Sequence, residues 1–352
     1  MYSNIEISTI NQNLFPKLKK IDQQINNRTK IKDLSFYSKN EATISDKIRN
    51  IPYYSNNYLI VEDCDFLNIG QLNDKFIEKL NLMNDKKYMI FKYKNDNIIN
   101  FNDFLFHFID PKKIVFHSIE SFSYILNSLI DLNHINICFF NLCPQNIVFN
   151  FDCGEKPQIR NFQQSLQISK LNEKYITNII KKTTDYTHKP LEVHILFYLI
   201  QNDISTISYS FIEEICEVFV DNLTVLAFFS EKYKESYKLS CMESLKKYIN
   251  IPKCDIISDI LKQTEKWDVY SLSMLYLHIF ANISRFFSLK STFLNKISIE
   301  LSKNIHPEPL KRSSLNLLAE NYEKLLNEEK DWSYINKLKG NKIQELFDLL
   351  GK

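Results

Sequence analysis

The stretch 139–149, FFNLCPQNIVF, holds the polar side chains best placed to take part in chemistry. Asn141, Cys143 and Asn146 lie close together there, and Asn161 follows a short distance along the chain. An asparagine amide is not a useful base near neutral pH, although its oxygen can act as a neutral ligand for a hard cation. These residue types therefore indicate a site with little capacity for proton transfer.

Several local elements must position this stretch. The clearest helix is predicted at 117–134, where apolar residues recur at steps of three and four. A short strand at 135–138 is then expected to lead into the stretch. Segments 147–149 and 158–160 predict a hairpin around Asp152-Cys153-Gly154.

The remaining elements follow from apolar patterning and from residues that start or end a helix. A helix is predicted at 40–50, with Asn40 as its N-cap. The segment 266–280 is apolar almost all round and predicts a buried helix. Further strands are predicted at 31–37, 58–61 and 88–93, with a short helical insert at 73–83 and a polar hinge at 94–100. Helices are predicted to start at 101–108, to occur around 211–229 and 242–248, and to follow two prolines within 304–318.

Six segments resemble the protein kinase family in the order in which that family carries them. The central stretch resembles the catalytic loop, with Pro-x-Asn kept, and Asn161-Phe162-Gln163 resembles Asp-Phe-Gly. Pro190-Leu191-Glu192 is similar to the end of an activation segment, whose glutamate pairs with an arginine, here Arg312. The matching segments are 88–105, 117–149, 158–163, 190–192, 266–280 and 304–318.

The resemblance implies an α+β, two-lobed kinase-like fold with a small β-rich N-lobe and a large helical C-lobe. It places the N-lobe at 1–94 and the C-lobe at 95–320, with an insertion at about 194–264 and a helical extension at 321–352. Structural roles are implied for Phe139, Phe162, Glu192, Asp268 and Arg312, with Asp268 capping the backbone of the loop.

The departures from the family pattern fall on the residues that move phosphate. Asn141 stands at the position of the catalytic base, and Cys143 at that of the phosphate-supporting lysine. Asn161 replaces a metal-binding aspartate, which leaves Asn146 as the one metal ligand kept. The resemblance therefore implies a weak or missing magnesium site at Asn146 and Asn161.

The nucleotide cradle also departs from the family pattern. Residues 1–69 contain no glycine, so a glycine-rich phosphate loop of the usual form is not expected. Lys30, Lys32 or Lys39 could stand in for the phosphate lysine with Glu41 as its partner, although ordinary solvated charges are the favoured interpretation. Backbone groups at the hinge could still bond an adenine; the hinge residues are Tyr93, Lys94 and Asn95.

Composition limits the partners and the setting. A net charge of +2 provides no field that would attract nucleic acid or an anionic membrane. The seven scattered cysteines form no C-x-x-C motif, and the N-terminus shows no signal peptide, so an intracellular, cytoplasmic setting is expected. Heavy use of Asn, Ile and Lys, with the divergence, associates the chain with kinase-like proteins of large DNA viruses or intracellular parasites, and hence with host cytoplasm or a virion.

Two function classes remain open on the sequence. The favoured one is a catalytically impaired kinase-like domain, or pseudokinase, that acts as a scaffold or regulator for an unknown protein partner and needs no cofactor. The alternative is an atypical Ser/Thr protein kinase that uses ATP and magnesium in a degenerate site. His134, His188 and His194 are interpreted as helix-end or surface residues in both.

Overall fold

The protein has mixed α and β structure, described by a computed structural model. The chain divides into two compact units, Met1–Ile99 with Val148–Ser165, and Asn100–Ile147 with Leu166–Lys352. The structure describes residues 27–67, 82–83, 85–94, 97–107, 111–151, 156–202, 204–286, 290, 292–330, 332–333 and 335. Most of the predicted insert at 73–83, the turn at 152–154, Asn95 and most of the extension at 321–352 lie outside those residues.

Among its described residues, unit 1 contains two small sheets and one long helix. Its strands and helix are β1 (Asn27–Asp33), α1 (Phe36–Ile48), β2 (Tyr58–Leu59), β3 (Val61–Leu67), β4 (Tyr88–Lys94), β5 (Ile98–Asn100), β7 (Ile147–Asn150) and β8 (Lys156–Arg160). One sheet has the order β1-β4-β3 and is antiparallel, and the other has the order β2-β8-β7-β5. The adjacency of β7 and β8 confirms that the two predicted hairpin segments are neighbours.

Helix α1 packs its apolar side on the first sheet. Ala42 joins Val61, Met89 and Phe91 in a buried cluster. These side chains come from the helix and from both β3 and β4, so burial of their apolar surface fixes the helix against the sheet.

Two predictions at the start of this unit are wrong. The strand predicted at 31–37 ends at Asp33, and residues 36 and 37 already belong to α1. The N-cap is Ser35 and not Asn40, because the hydroxyls of Ser35 and Ser38 each accept from the other's backbone N–H and so satisfy two groups that open the helix. Asn40 therefore lies inside α1, and its side chain donates to backbone carbonyls elsewhere in the unit.

The described part of unit 2 is mainly helical, with a short antiparallel ladder of β6 (Ile137–Cys138) and β9 (Leu166–Gln167). Its elements are α2 (Phe101–His107), α3 (Pro111–His134), β6 (Ile137–Cys138), β9 (Leu166–Gln167), α4 (Glu173–Lys182), α5 (Leu191–Gln201), α6 (Tyr209–Asn222), α7 (Glu231–Leu245), α8 (Lys253–Leu261), α9 (Trp267–Phe286), α10 (Phe293–Asn304) and α11 (Leu315–Glu328). Residues 194–264, where an insertion is expected, are mostly helical.

Helix α9 is the core element of unit 2. Trp267, Tyr270 and Tyr276 are among its fully buried side chains, which confirms the predicted buried helix. The Tyr276 hydroxyl donates to Ser121 Oγ on α3 at 2.8 Å, which satisfies a polar group at the centre of the core. Helix α3 carries the predicted apolar stripe and begins at Pro111, since proline is well suited to the first turn of a helix.

Candidate functional site

The loop 139–146 connects β6 to β7 and is anchored by a buried carboxylate. Asp268, in the first turn of α9, accepts from the backbone N–H of Phe139 at 2.7 Å and from that of Phe140 at 2.8 Å. Burial raises the pKa of Asp268, while these two bonds and nearby Lys189 act in the opposite direction. Asp268 therefore caps the backbone of the loop, as the resemblance implied.

The anchored loop holds one residue in an uncommon conformation. Phe140 has φ 65°, in the left-handed region that costs a non-glycine residue roughly 1–2 kcal/mol. Its side chain is fully buried against Trp267, with ring centroids 5.6 Å apart. Because both its backbone N–H and its ring are fixed, the surrounding structure maintains the strain.

Asn146 closes the loop upon itself. Its Nδ2 donates to the backbone carbonyl of Asn141 at 2.8 Å, and the side chain is only 5% exposed. This buried amide therefore stabilises the loop conformation of the free protein. The proposed role of Asn146 as a metal ligand stays a prediction.

Lys189 is a member of this site that the sequence did not reveal. Its ammonium donates to the carbonyl of Phe140 and, at 3.3 Å, to Asn141 Oδ1. It also lies 4.3 Å from the centroid of the Phe140 ring. The loss of a lysine at Cys143 was the signal that could have prompted a search for a cation elsewhere in the chain.

Cys143 itself supplies no charge. It is 8% exposed, and burial raises the pKa of its thiol. A neutral thiol cannot replace the electrostatic function of a lysine. The cationic group beside the loop is thus provided by Lys189.

The segment around Lys189 also corrects the prediction for two histidines. The structure buries His188 Nδ1 and His194 Nε2, each without a hydrogen-bond partner among the described residues. Burial lowers the pKa of both rings to about 4. The surface interpretation is therefore wrong, because both rings pack into unit 2 as neutral groups. His134 does lie exposed at the end of α3, as expected.

Glu192 and Arg312 form the expected pair. The guanidinium donates to both carboxylate oxygens, at 2.6 and 2.9 Å, and to the carbonyls of His306 and Pro307. Glu192 is 5% exposed and Arg312 is 3% exposed. The bidentate geometry and the two carbonyl bonds satisfy a charge pair that would otherwise be costly to bury.

A second ion pair, with a buried carboxylate and a partly buried lysine, lies in unit 1. Lys32 on β1 contacts Glu41 on α1 with 2.6 Å between Nζ and Oε2, and Glu41 is 3% exposed. The hydroxyl of Tyr93 donates to the other carboxylate oxygen at 2.9 Å. Burial and the neighbouring Glu41 raise the pKa of Tyr93 well above its ordinary value. The interpretation of Lys32 as a solvated charge is therefore wrong.

Asn161 and Phe162 belong to the same unit as this pair. Asn161 adopts φ 69°, again left-handed, at the start of a 3-10 turn over Phe162–Gln164. Phe162 is buried edge-on to Tyr58, with ring centroids 6.1 Å apart. Asn40 supports the turn, because its Nδ2 donates to the carbonyls of Gln163 and Ser165 at 3.2 and 2.8 Å.

The other predicted site residues can be placed only in part. Lys94 ends strand β4 and is exposed, and Asn95 lies outside the described residues. The weak or missing magnesium site at Asn146 and Asn161 stays a prediction, since Asn161 belongs to unit 1 and Asn146 to unit 2. In the described part of the chain, no cluster of three or more His, Cys, Asp or Glu side chains is arranged to hold a metal ion.

Comparisons with known proteins add no family assignment. Neither a family model nor a curated protein sequence matches the chain. Across the residues that the structure describes, no helix is both long and apolar enough to cross a membrane.

Proposed function

We propose that the chain is a two-lobed protein kinase-like domain that does not transfer phosphate and that binds another protein as a scaffold or regulator inside a cell. The observation that carries the proposal is the state of Asn141. The residue at the place of the base is an amide, and its acceptor atom is already engaged by the Lys189 ammonium. A side chain in that state cannot accept a substrate proton.

Support for kinase-like architecture comes from contacts that link distant parts of the sequence. Asp268 reaches back 128 and 129 residues to the loop, and Arg312 reaches back 120 residues to Glu192. Both contacts join segments that carry the resemblance, and neither supplies a group that reacts. A chain that keeps the contacts of a fold while losing its reactive groups fits a binding role better than a catalytic one.

Support for impaired catalysis comes from the residue types at three positions. Phosphoryl transfer depends on positioning and on stabilisation of spread negative charge. Asn141 offers no base, Cys143 offers no cation, and Asn161 offers no carboxylate to a metal. Loss of a single such group costs on the order of a hundred- to ten-thousand-fold in rate.

An atypical Ser/Thr protein kinase is the second candidate, and one observation favours it. The Lys32–Glu41 pair holds a lysine on a strand beside the helix of the same unit, which is how the family positions the lysine that contacts nucleotide phosphates. The same pair is compatible with weak, magnesium-independent nucleotide binding by a protein that does not transfer phosphate.

A radiolabelled ATP assay on the purified chain separates the two candidates. Wild type, Asn141→Ala and Asn161→Ala are compared with and without magnesium, and Asn222→Ala, at an exposed helix end, serves as the matched control. We expect no transfer to protein or peptide substrates above the no-enzyme background. Turnover that Asn141→Ala or Asn161→Ala abolishes, and that Asn222→Ala leaves intact, would establish the kinase and overturn the proposal.

A further inference from the structure

Lys189 is unusual among the lysines of the described residues, since its side chain is only 2% exposed. It precedes helix α5, and its ammonium reaches Phe140 and Asn141 in the loop. Burying an ammonium is costly unless it finds partners. The carbonyl of Phe140, the amide oxygen of Asn141 and the face of the Phe140 ring are the partners that it finds.

The position of this ammonium determines which way the Asn141 amide points. A protonated lysine is a donor only, so the atom of Asn141 that faces Nζ must be Oδ1. The Nδ2 group is then turned away from Lys189, and none of the described residues accepts a hydrogen bond from it. Asn141 is half-buried, so this NH2 group can meet a bound partner.

The backbone around Asn141 is held from two sides by opposite charges. Asp268 accepts from the N–H groups of Phe139 and Phe140, and Lys189 donates to the carbonyl of Phe140. The peptide groups that precede Asn141 therefore lie between a carboxylate and an ammonium. This arrangement fixes the backbone from which the Asn141 side chain extends.

The protonation of Lys189 follows from the groups that face it. Burial lowers the pKa of Lys189 to about 8, so the ammonium form predominates at pH 7. His188 and His194, on the same segment, are neutral at that pH because burial lowers their pKa values. The carboxylates Asp185 and Asp268 counteract the effect of burial on Lys189. The thiols of Cys143 and Cys138 also face it, and burial raises the pKa of both, so they are neutral at that pH.

We propose that Lys189 is a positioning residue that locks the Asn141 amide, so that the loop presents a hydrogen-bond donor where the kinase family presents a base. This inference rests on the proposed binding function and specifies it. The partner group received at Asn141 is a hydrogen-bond acceptor, such as a carbonyl or carboxylate oxygen of a peptide, and not a hydroxyl to be deprotonated.

The deciding experiment is an NMR titration of the full chain with selectively ¹⁵N-labelled asparagine. The Asn141 NH2 signals are identified by their loss in Asn141→Asp. In wild type we expect both signals to shift with a midpoint near pH 8, as Lys189 loses its proton and releases the amide. Asn141 signals that stay constant from pH 6.5 to 9.5 would overturn the proposal.

Variants make the test specific to Lys189. Lys189→Met should abolish the titration of the Asn141 signals, whereas Lys181→Met, at an exposed lysine of α4, should leave it unchanged. A titration that persists in a folded Lys189→Met protein would also reject the proposal. In Asn141→Asp, the new carboxylate should shift the midpoint of the Lys189 Cε proton signals upward by at least one pH unit, a tenfold change in proton affinity.

Failure of this inference is distinguishable from failure of the proposed function. Phosphoryl transfer in the ATP assay would reject the binding-only role, whatever the orientation of Asn141. Asn141 signals that do not follow the titration of Lys189 would reject the lock alone, because an amide accepts no substrate proton in either orientation.

Discussion

Replacing Arg312 with alanine should destabilise unit 2 far more than removal of an ordinary surface charge. The change leaves the Glu192 carboxylate buried without its bidentate partner and removes donors from the carbonyls of His306 and Pro307. Breaking a buried pair from one side costs roughly 3–5 kcal/mol. At about 2–4 °C per kcal/mol for a unit of this size, the melting temperature should fall by roughly 6–20 °C.

The assay is thermal unfolding followed by circular dichroism, with urea unfolding as a second measure. Lys303→Ala is the matched control, because Lys303 pairs with Glu300 at 2.5 Å on the same unit but is 58% exposed. That pair should contribute at most about 1 kcal/mol. A double change of Glu192→Leu with Arg312→Met should cost less than the sum of its single changes by on the order of 2–3 kcal/mol.

The result that would refute this reasoning is a melting temperature for Arg312→Ala equal to that of Lys303→Ala. Equality would mean that Glu192 is hydrated in solution or that the pair does not form. A double variant as unstable as the sum of its single changes would refute the argument in a different way, since it would show that Glu192 and Arg312 act independently.

Two further predictions concern protonation and a buried amide. The folded state holds His194 neutral with a pKa of about 4, so stability present above pH 6.5 should be lost as pH falls toward 4, by on the order of 3 kcal/mol. Urea unfolding should show a weaker loss of stability with falling pH in His194→Phe than in wild type. An identical pH dependence in the two proteins would contradict the assignment. Asn40→Asp should be more destabilising than Asn40→Ala, because a carboxylate cannot donate to the carbonyls of Gln163 and Ser165 and would face them unpaired. Urea midpoints in the reverse order would show that those bonds do not hold the turn.

The sequence predicted the elements whose buried residues follow a regular pattern along the chain. The stripe of α3 and the apolar surface of α9 follow from the period of the helix, and the strand β4 follows from β-branched and aromatic residues. Errors came where side chains compete for a helix start. Ser35 and Asn40 are both good caps by residue type, and the choice depends on Ser38, whose hydroxyl completes the cap at Ser35.

The sequence predicted those residues of the candidate site whose type and place match the family pattern. It did not predict residues whose role depends on a contact made in the folded chain. Asp268 and the pair of Glu192 with Arg312 follow from their place in the pattern. Lys32 and Lys189 resemble solvated lysines in the sequence. Nothing local shows that Lys189 is buried beside acceptors 48 and 49 residues away, or that Lys32 on a strand meets Glu41 on the following helix. Packing between separate elements determines whether each lysine is solvated or paired, and a pattern over a few residues does not show that packing.

The division of unit 1 into two sequence segments has a consequence for how the chain folds during synthesis. Helix α1 and strands β1 to β4 leave the ribosome long before residues 148–165, yet β2 pairs with β8, and Asn40 bonds carbonyls 123 and 125 residues away. Closing such long loops is slow, so a nascent chain that ends near residue 99 carries β2 without its neighbour and α1 without the turn that it supports. In nascent chains stalled with about 200 residues exposed, α1 should therefore resist protease far better than in chains stalled with about 140 exposed. While the chain grows between those lengths, the unpaired edge of β2 is exposed and accessible to chaperones.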